Sequence, residues 1–78
     1  MNAKEILEIL SKPWCTVYDI KAICNCGMNK AVTIRSQLRN KLQNEGKLVA
    51  NNLIPMTEFI KAFSIDVEYL EKMANKNQ

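Results

Sequence analysis

Gly27 and Gly46, the only glycines in the chain, bracket a stretch that also lacks proline. That punctuation suits one long helix, because glycine and proline cost a helix interior about 1 and about 3 kcal/mol relative to alanine. Asn29 is placed to cap such a helix, which is predicted over about 30–44 with Gly46 as its stop. At 100° per residue, Ala31, Ile34 and Leu42 fall within about 40° of Leu38 and make a narrow core stripe. The rest of the helix reads as polar. Asn29, Thr33, Ser36 and Asn40 lie opposite the stripe, with Lys30, Gln37 and Lys41 on one flank and Arg35 and Arg39 on the other. A solvated helix commonly interleaves glutamate with lysine, whereas this one carries amides, hydroxyls and cations, the groups that read base edges and phosphates.

Charge along the chain points to the same segment. The net charge is +3, but residues 21–47 hold Lys21, Lys30, Arg35, Arg39, Lys41 and Lys47 against Glu45 alone, a local balance of +5, while both ends are mildly acidic. A basic middle third is expected of a surface that meets a polyanion; a solvated helix face is the plainer alternative.

Short signals place the remaining elements. Asn2 and Glu5 suit a capping box for a helix over about 3–11, which Pro13 ends. Thr16 and Asp19 form a second such signal, for a helix over about 17–24 with Ile20, Ile23 and Cys24 on its apolar face. Gly27 follows as a residue tolerant of positive φ. Residues 47–55 have the form of a two-stranded hairpin turning at Asn51-Asn52. A fourth helix is expected over about 56–63, burying Phe59, Ile60 and Phe63. A fifth, capped by Asp66, is expected over about 67–75 with Val67, Leu70, Met73 and Ala74 on its apolar side. Residues 1–74 read as a single domain and 75–78 as a flexible tail.

At 78 residues little interior is left for a small-molecule substrate once a core is filled, and none is expected. The absence of histidine removes the commonest acid–base group. With no nucleophile constellation or phosphate loop, no enzyme activity and no catalytic residue is expected. Cys15, Cys24 and Cys26 offer three thiolates but no fourth ligand and no C-x2-C spacing, so they are expected to act as small apolar side chains, with no metal and no cofactor. No apolar run is long enough for a membrane span and MNAKEILEIL lacks a signal-peptide layout, so the expected setting is the cytoplasm, away from membranes.

A short helix, a glycine-containing turn, a cationic second helix and a following hairpin together predict a mainly α fold. It is a winged helix-turn-helix with a short two-stranded β-hairpin wing and C-terminal helices. The stretch from Cys24 through Gly46, followed by Leu53-Ile-Pro-Met-Thr-Glu-Phe59, resembles small excisionase-like winged helix-turn-helix proteins of bacterial phages and mobile elements. The resemblance covers about residues 16–63, and Asn29 stands where such proteins usually have serine. It implies DNA binding in recombination directionality or transcription control, as a homodimer or as tandem copies.

Helix 30–44 is therefore expected in the major groove of double-stranded DNA, with hairpin 47–55 as the wing. Asn29, Lys30, Thr33, Ser36 and Gln37 are the candidate base contacts, with Gln37 suited to adenine. Arg35, Arg39, Lys41 and Lys47 are the candidate phosphate contacts. Trp14 is expected in the core; Trp14 and Tyr18 could instead stack on a base or touch the sugar-phosphate backbone. The competing reading is a protein-interaction factor of phage type that docks on a host or phage protein through its C-terminal amphipathic helix, where Tyr69 could also serve self-association.

Overall fold

Side-chain caps fix where most of the helices begin. In the computed structural model, which describes residues 2–47 and 53–76, Asn2 Oδ1 accepts the Glu5 amide at 2.9 Å and starts α1 (Ala3–Leu10). Thr16 Oγ1 accepts the Asp19 amide at 3.3 Å while Asp19 Oδ2 accepts the Thr16 amide at 2.9 Å. This reciprocal box opens α2 (Val17–Cys24) and satisfies two donors that a helix start otherwise leaves orphaned. A three-residue turn leads to α3 (Met28–Asn44). After α3 come α4 (Met56–Ala62) and α5 (Val67–Lys76). Asp66 caps the last, its Oδ1 accepting the Tyr69 amide at 2.9 Å.

Left-handed residues close three of these helices. Asn25 (φ 50°) ends α2, Gly46 (φ 79°) ends α3 and Ser64 (φ 51°) follows α4. In each case the next amide, of Cys26, Lys47 or Ile65, bonds back to Lys21, Leu42 or Ile60 at 2.9–3.2 Å, satisfying a carbonyl left free by the end of the helix. The expectation for Gly27 is thereby corrected. Gly27 has φ −75° and ψ 167°, and Asn25, the non-glycine residue best suited to this region, makes the reversal after α2.

The chain is mainly helical, with one small antiparallel sheet. In that sheet β1 (Trp14–Cys15) pairs with β2 (Ile54–Pro55), Trp14 opposite Pro55 and Cys15 opposite Ile54. The Met56 amide extends the pairing to the Pro13 carbonyl at 3.0 Å. The expected hairpin partner of Ile54-Pro55 lay within 47–50. Its limb from Leu48 to Ala50 and its Asn51-Asn52 turn fall outside the described residues. Pairing with β1 was not expected, because two residues of strand have no readable period.

Cys15, Ile20, Ala31, Leu42, Ile54, Met56 and Phe59 form the centre of the core, with Leu10 and Leu38 at its edge. Successive strand residues face opposite ways. Since Cys15 is sealed inside, Trp14 points outward and is 44% exposed, which corrects its expected core position. Phe63, expected to be buried, is 43% exposed because α4 ends at Ala62 and leaves it as the C-cap. Its ring tilts against Phe59 at 4.9 Å between centroids and leaves its other face open. Leu70 and Val67 of α5 pack on the core's edge, and the helix as a whole lies along α1. Helical structure continues through Asn75 and Lys76, two residues into the segment expected as a tail.

Candidate nucleic-acid interface

Helix α3 is seated by the stripe that its spacing implies. Ala31, Leu38 and Leu42 are buried, Ile34 is half-buried, and α2 covers them, with β2 and α4 adding contacts. Seventeen residues at 1.5 Å rise give a rod of about 25 Å. No aspartate or glutamate lies within it. Asn29, Lys30, Thr33, Ser36, Gln37, Arg39 and Lys41 are all exposed on its outer side, and Arg35 is half-buried at the flank.

Two details differ from expectation at the start of this helix. Gly27 takes the N-cap position, its carbonyl accepting the Ala31 amide at 3.0 Å, and no side chain caps the end. Asn29, expected as the cap, is instead the second helical residue. The extended backbone at Gly27 lets the helix begin at Met28, before Asn29 can fold over it. The Thr33 hydroxyl donates to the Asn29 carbonyl at 3.0 Å, so it is turned back on its own helix. Val32, 37% exposed on the same outer side, was missed when everything off the stripe was read as polar. Its position, about 120° from Leu38 at 100° per residue, was the signal available.

Lys47 lies just beyond the helix and is already engaged. Its Nζ donates to Glu58 Oε1 at 2.5 Å and lies 3.6 Å from Glu45 Oε1. The hydrogen bond to Glu58 raises the Lys47 pKa and lowers that of Glu58, the pair tying the end of α3 to α4. A phosphate at Lys47 would have to compete with two carboxylates.

In the first turn of α2, Asp19 is 6% exposed and accepts the Lys12 ammonium at 2.6 Å. Burial pushes its carboxyl up, but the Lys12 hydrogen bond and the bonds to the Thr16 backbone and hydroxyl outweigh burial and hold it below the ordinary carboxylate range. Cys15 is sealed beside it. Burial, reinforced by the Asp19 charge, pushes this thiol up to about 12, so it stays protonated and is no nucleophile. Burial also raises the Cys24 thiol, with neighbouring Cys26 adding to the shift and Lys30 opposing it. Among the described residues no three His, Cys, Asp or Glu side chains are grouped to hold a metal ion.

Elsewhere on the surface, Tyr18 is exposed in the first turn of α2, and Tyr69 is exposed on α5. An apolar groove of about 390 Å³, lined by Leu7, Leu10, Ser11, Ile60, Val67 and Glu71, runs beside α1, α4 and α5. Among the described residues no helix is long and apolar enough to cross a membrane. Compared with known proteins, the chain matches no family model, no curated protein and no solved structure.

Proposed function

We propose that this chain is a sequence-preferring double-stranded DNA-binding protein of the winged helix-turn-helix kind, similar to the excisionase-like and transcriptional regulators of phages and mobile elements. In this reading α2 braces α3, and the N-terminal half of α3 enters the major groove. A groove about 12 Å wide admits a helix of about 10–12 Å diameter. Segment 47–55 acts as the wing. Its returning limb is held at the start of α2 by the pairing of Ile54-Pro55 with Trp14-Cys15.

One observation carries the reading: a 17-residue helix with no acidic side chain, firmly seated through one narrow stripe, exposes Asn29, Lys30, Ser36, Gln37, Arg39 and Lys41 together on its outer side. Asn29, Lys30, Ser36 and Gln37 are the base contacts, and Arg35, Arg39 and Lys41 hold phosphates. The interaction-factor reading draws less support, because the apolar side of α5 is already turned to α1 and the core.

The test is the salt dependence of binding to random-sequence duplex DNA. With three or four phosphates neutralised, log affinity should fall against log salt with a slope of about −3 to −4. Lys30→Ala should weaken binding and reduce that slope by about 1 if it meets a phosphate, or relax base preference if it meets a base. Absent or salt-insensitive binding would overturn the proposal.

A further inference from the structure

The exposed side of α3 carries an apolar element that a purely polar reading face would not have. Val32 presents its branched side chain to solvent. Thr33 spends its hydroxyl on the Asn29 carbonyl at 3.0 Å, which leaves its methyl as the outward end of an exposed side chain. At 100° per residue, Asn29 falls between Val32 and Thr33, and Ser36 joins them within an arc of about 100°. Solvent exposure of a β-branched residue brings a helix nothing by itself, since valine is a poorer helix former than the alanine or lysine that would serve there. The surrounding side chains, Lys30, Arg35 and Arg39, are cationic, and no acidic residue lies on the helix. The occupant that complements an apolar spot inside a cationic field is therefore an apolar group on a polyanion.

We propose that Val32 and the Thr33 methyl read thymine C5-methyl groups in the major groove, with Asn29 between them bonding an adjacent adenine, so that the preferred duplex contains a thymine–adenine step under the first two turns of α3. The inference rests on the DNA-binding reading above and names its base preference. The thymine methyl is the one apolar feature of the major-groove edge, and the amide of asparagine matches adenine N6 and N7.

The experiment selects duplexes from a random-sequence pool with the intact chain, then resynthesises the selected duplex with deoxyuridine replacing each thymine in turn, removing one methyl at a time. Affinity should drop about 3- to 5-fold at one or two thymines and stay unchanged at the rest, the loss of one buried methyl contact each. Val32→Ala, which keeps a good helix former in place, should bind the thymine and uracil duplexes equally at one of those positions. Thr33→Ser, which keeps the hydroxyl and removes the methyl, should do the same at the other. If the unmodified chain binds thymine and uracil duplexes alike, or if both variants discriminate as before, the inference is overturned while DNA binding stands. If no duplex in the pool is retained even at low salt, the DNA-binding reading itself fails, and this inference with it.

Discussion

Ile20, Ala31, Ile54 and Phe59 are sealed from solvent, and they belong to α2, α3, β2 and α4, whereas no residue of α5 is buried and α1 contributes Leu10 alone. Yet α1 and α5 separate apolar from polar residues more cleanly than α3 does. Amphipathicity sets which side of a helix turns inward; how far that side is buried depends on how many elements cover it. Helix α3 is covered by α2, β2 and α4, while α5 has chiefly α1 to lie on. The cationic face therefore sits on the tightly held part of the molecule, which suits a surface whose contacts must keep their spacing, and the α1–α5 pair is the part expected to open first.

That contrast can be broken from its strong side. Phe59→Ala should remove about 3–5 kcal/mol, a large part of what a chain of this size has in total, and thermal unfolding followed by circular dichroism should show most of the cooperative transition lost. Asp19→Asn should cost about 1–3 kcal/mol, because the Lys12 ammonium loses its charged acceptor and the capping box is weakened, as read from urea unfolding. The same carboxylate predicts an acid limit. Its pKa is depressed in the fold, so its stabilisation is complete above the ordinary carboxylate value of about 4 and is lost as pH falls through the lower folded value. The acid loss should be smaller in Asp19→Asn.

From the weak side, Leu70→Ala should cost only about 1 kcal/mol, since that side chain is half-buried. It should speed hydrogen exchange at the α5 amides and leave those of α3 unchanged. The smallest expected effect is a gain. Ser64 holds φ 51° without being glycine, and Ser64→Gly should stabilise the chain by about 0.5–1 kcal/mol in the same urea assay.

Features governed by local chemistry were legible in the sequence. The caps at Asn2, Thr16 with Asp19, and Asp66 are bonds between near neighbours, and the span of α2 follows from them. The stripe Ala31, Ile34, Leu38, Leu42 follows from helical geometry alone, and with it the outward placement of Asn29, Lys30, Ser36, Gln37, Arg39 and Lys41. What was not legible depends on distant partners. Trp14 faces out because β2, some forty residues on, makes its segment a strand and takes Cys15 inside. Lys47 is held by Glu58 of α4, eleven residues on, which its membership of the basic run gives no hint of. Val32 was missed for a different reason: it lies well away from the stripe, where the helical period announces no apolar residue.

Backbone amide shift mapping by nuclear magnetic resonance during titration with random-sequence duplex DNA tests most directly whether α3 is the surface that meets DNA. The largest changes should fall between Asn29 and Lys41, with α5 unmoved. Changes concentrated on α1 and α5, or none anywhere, would contradict it.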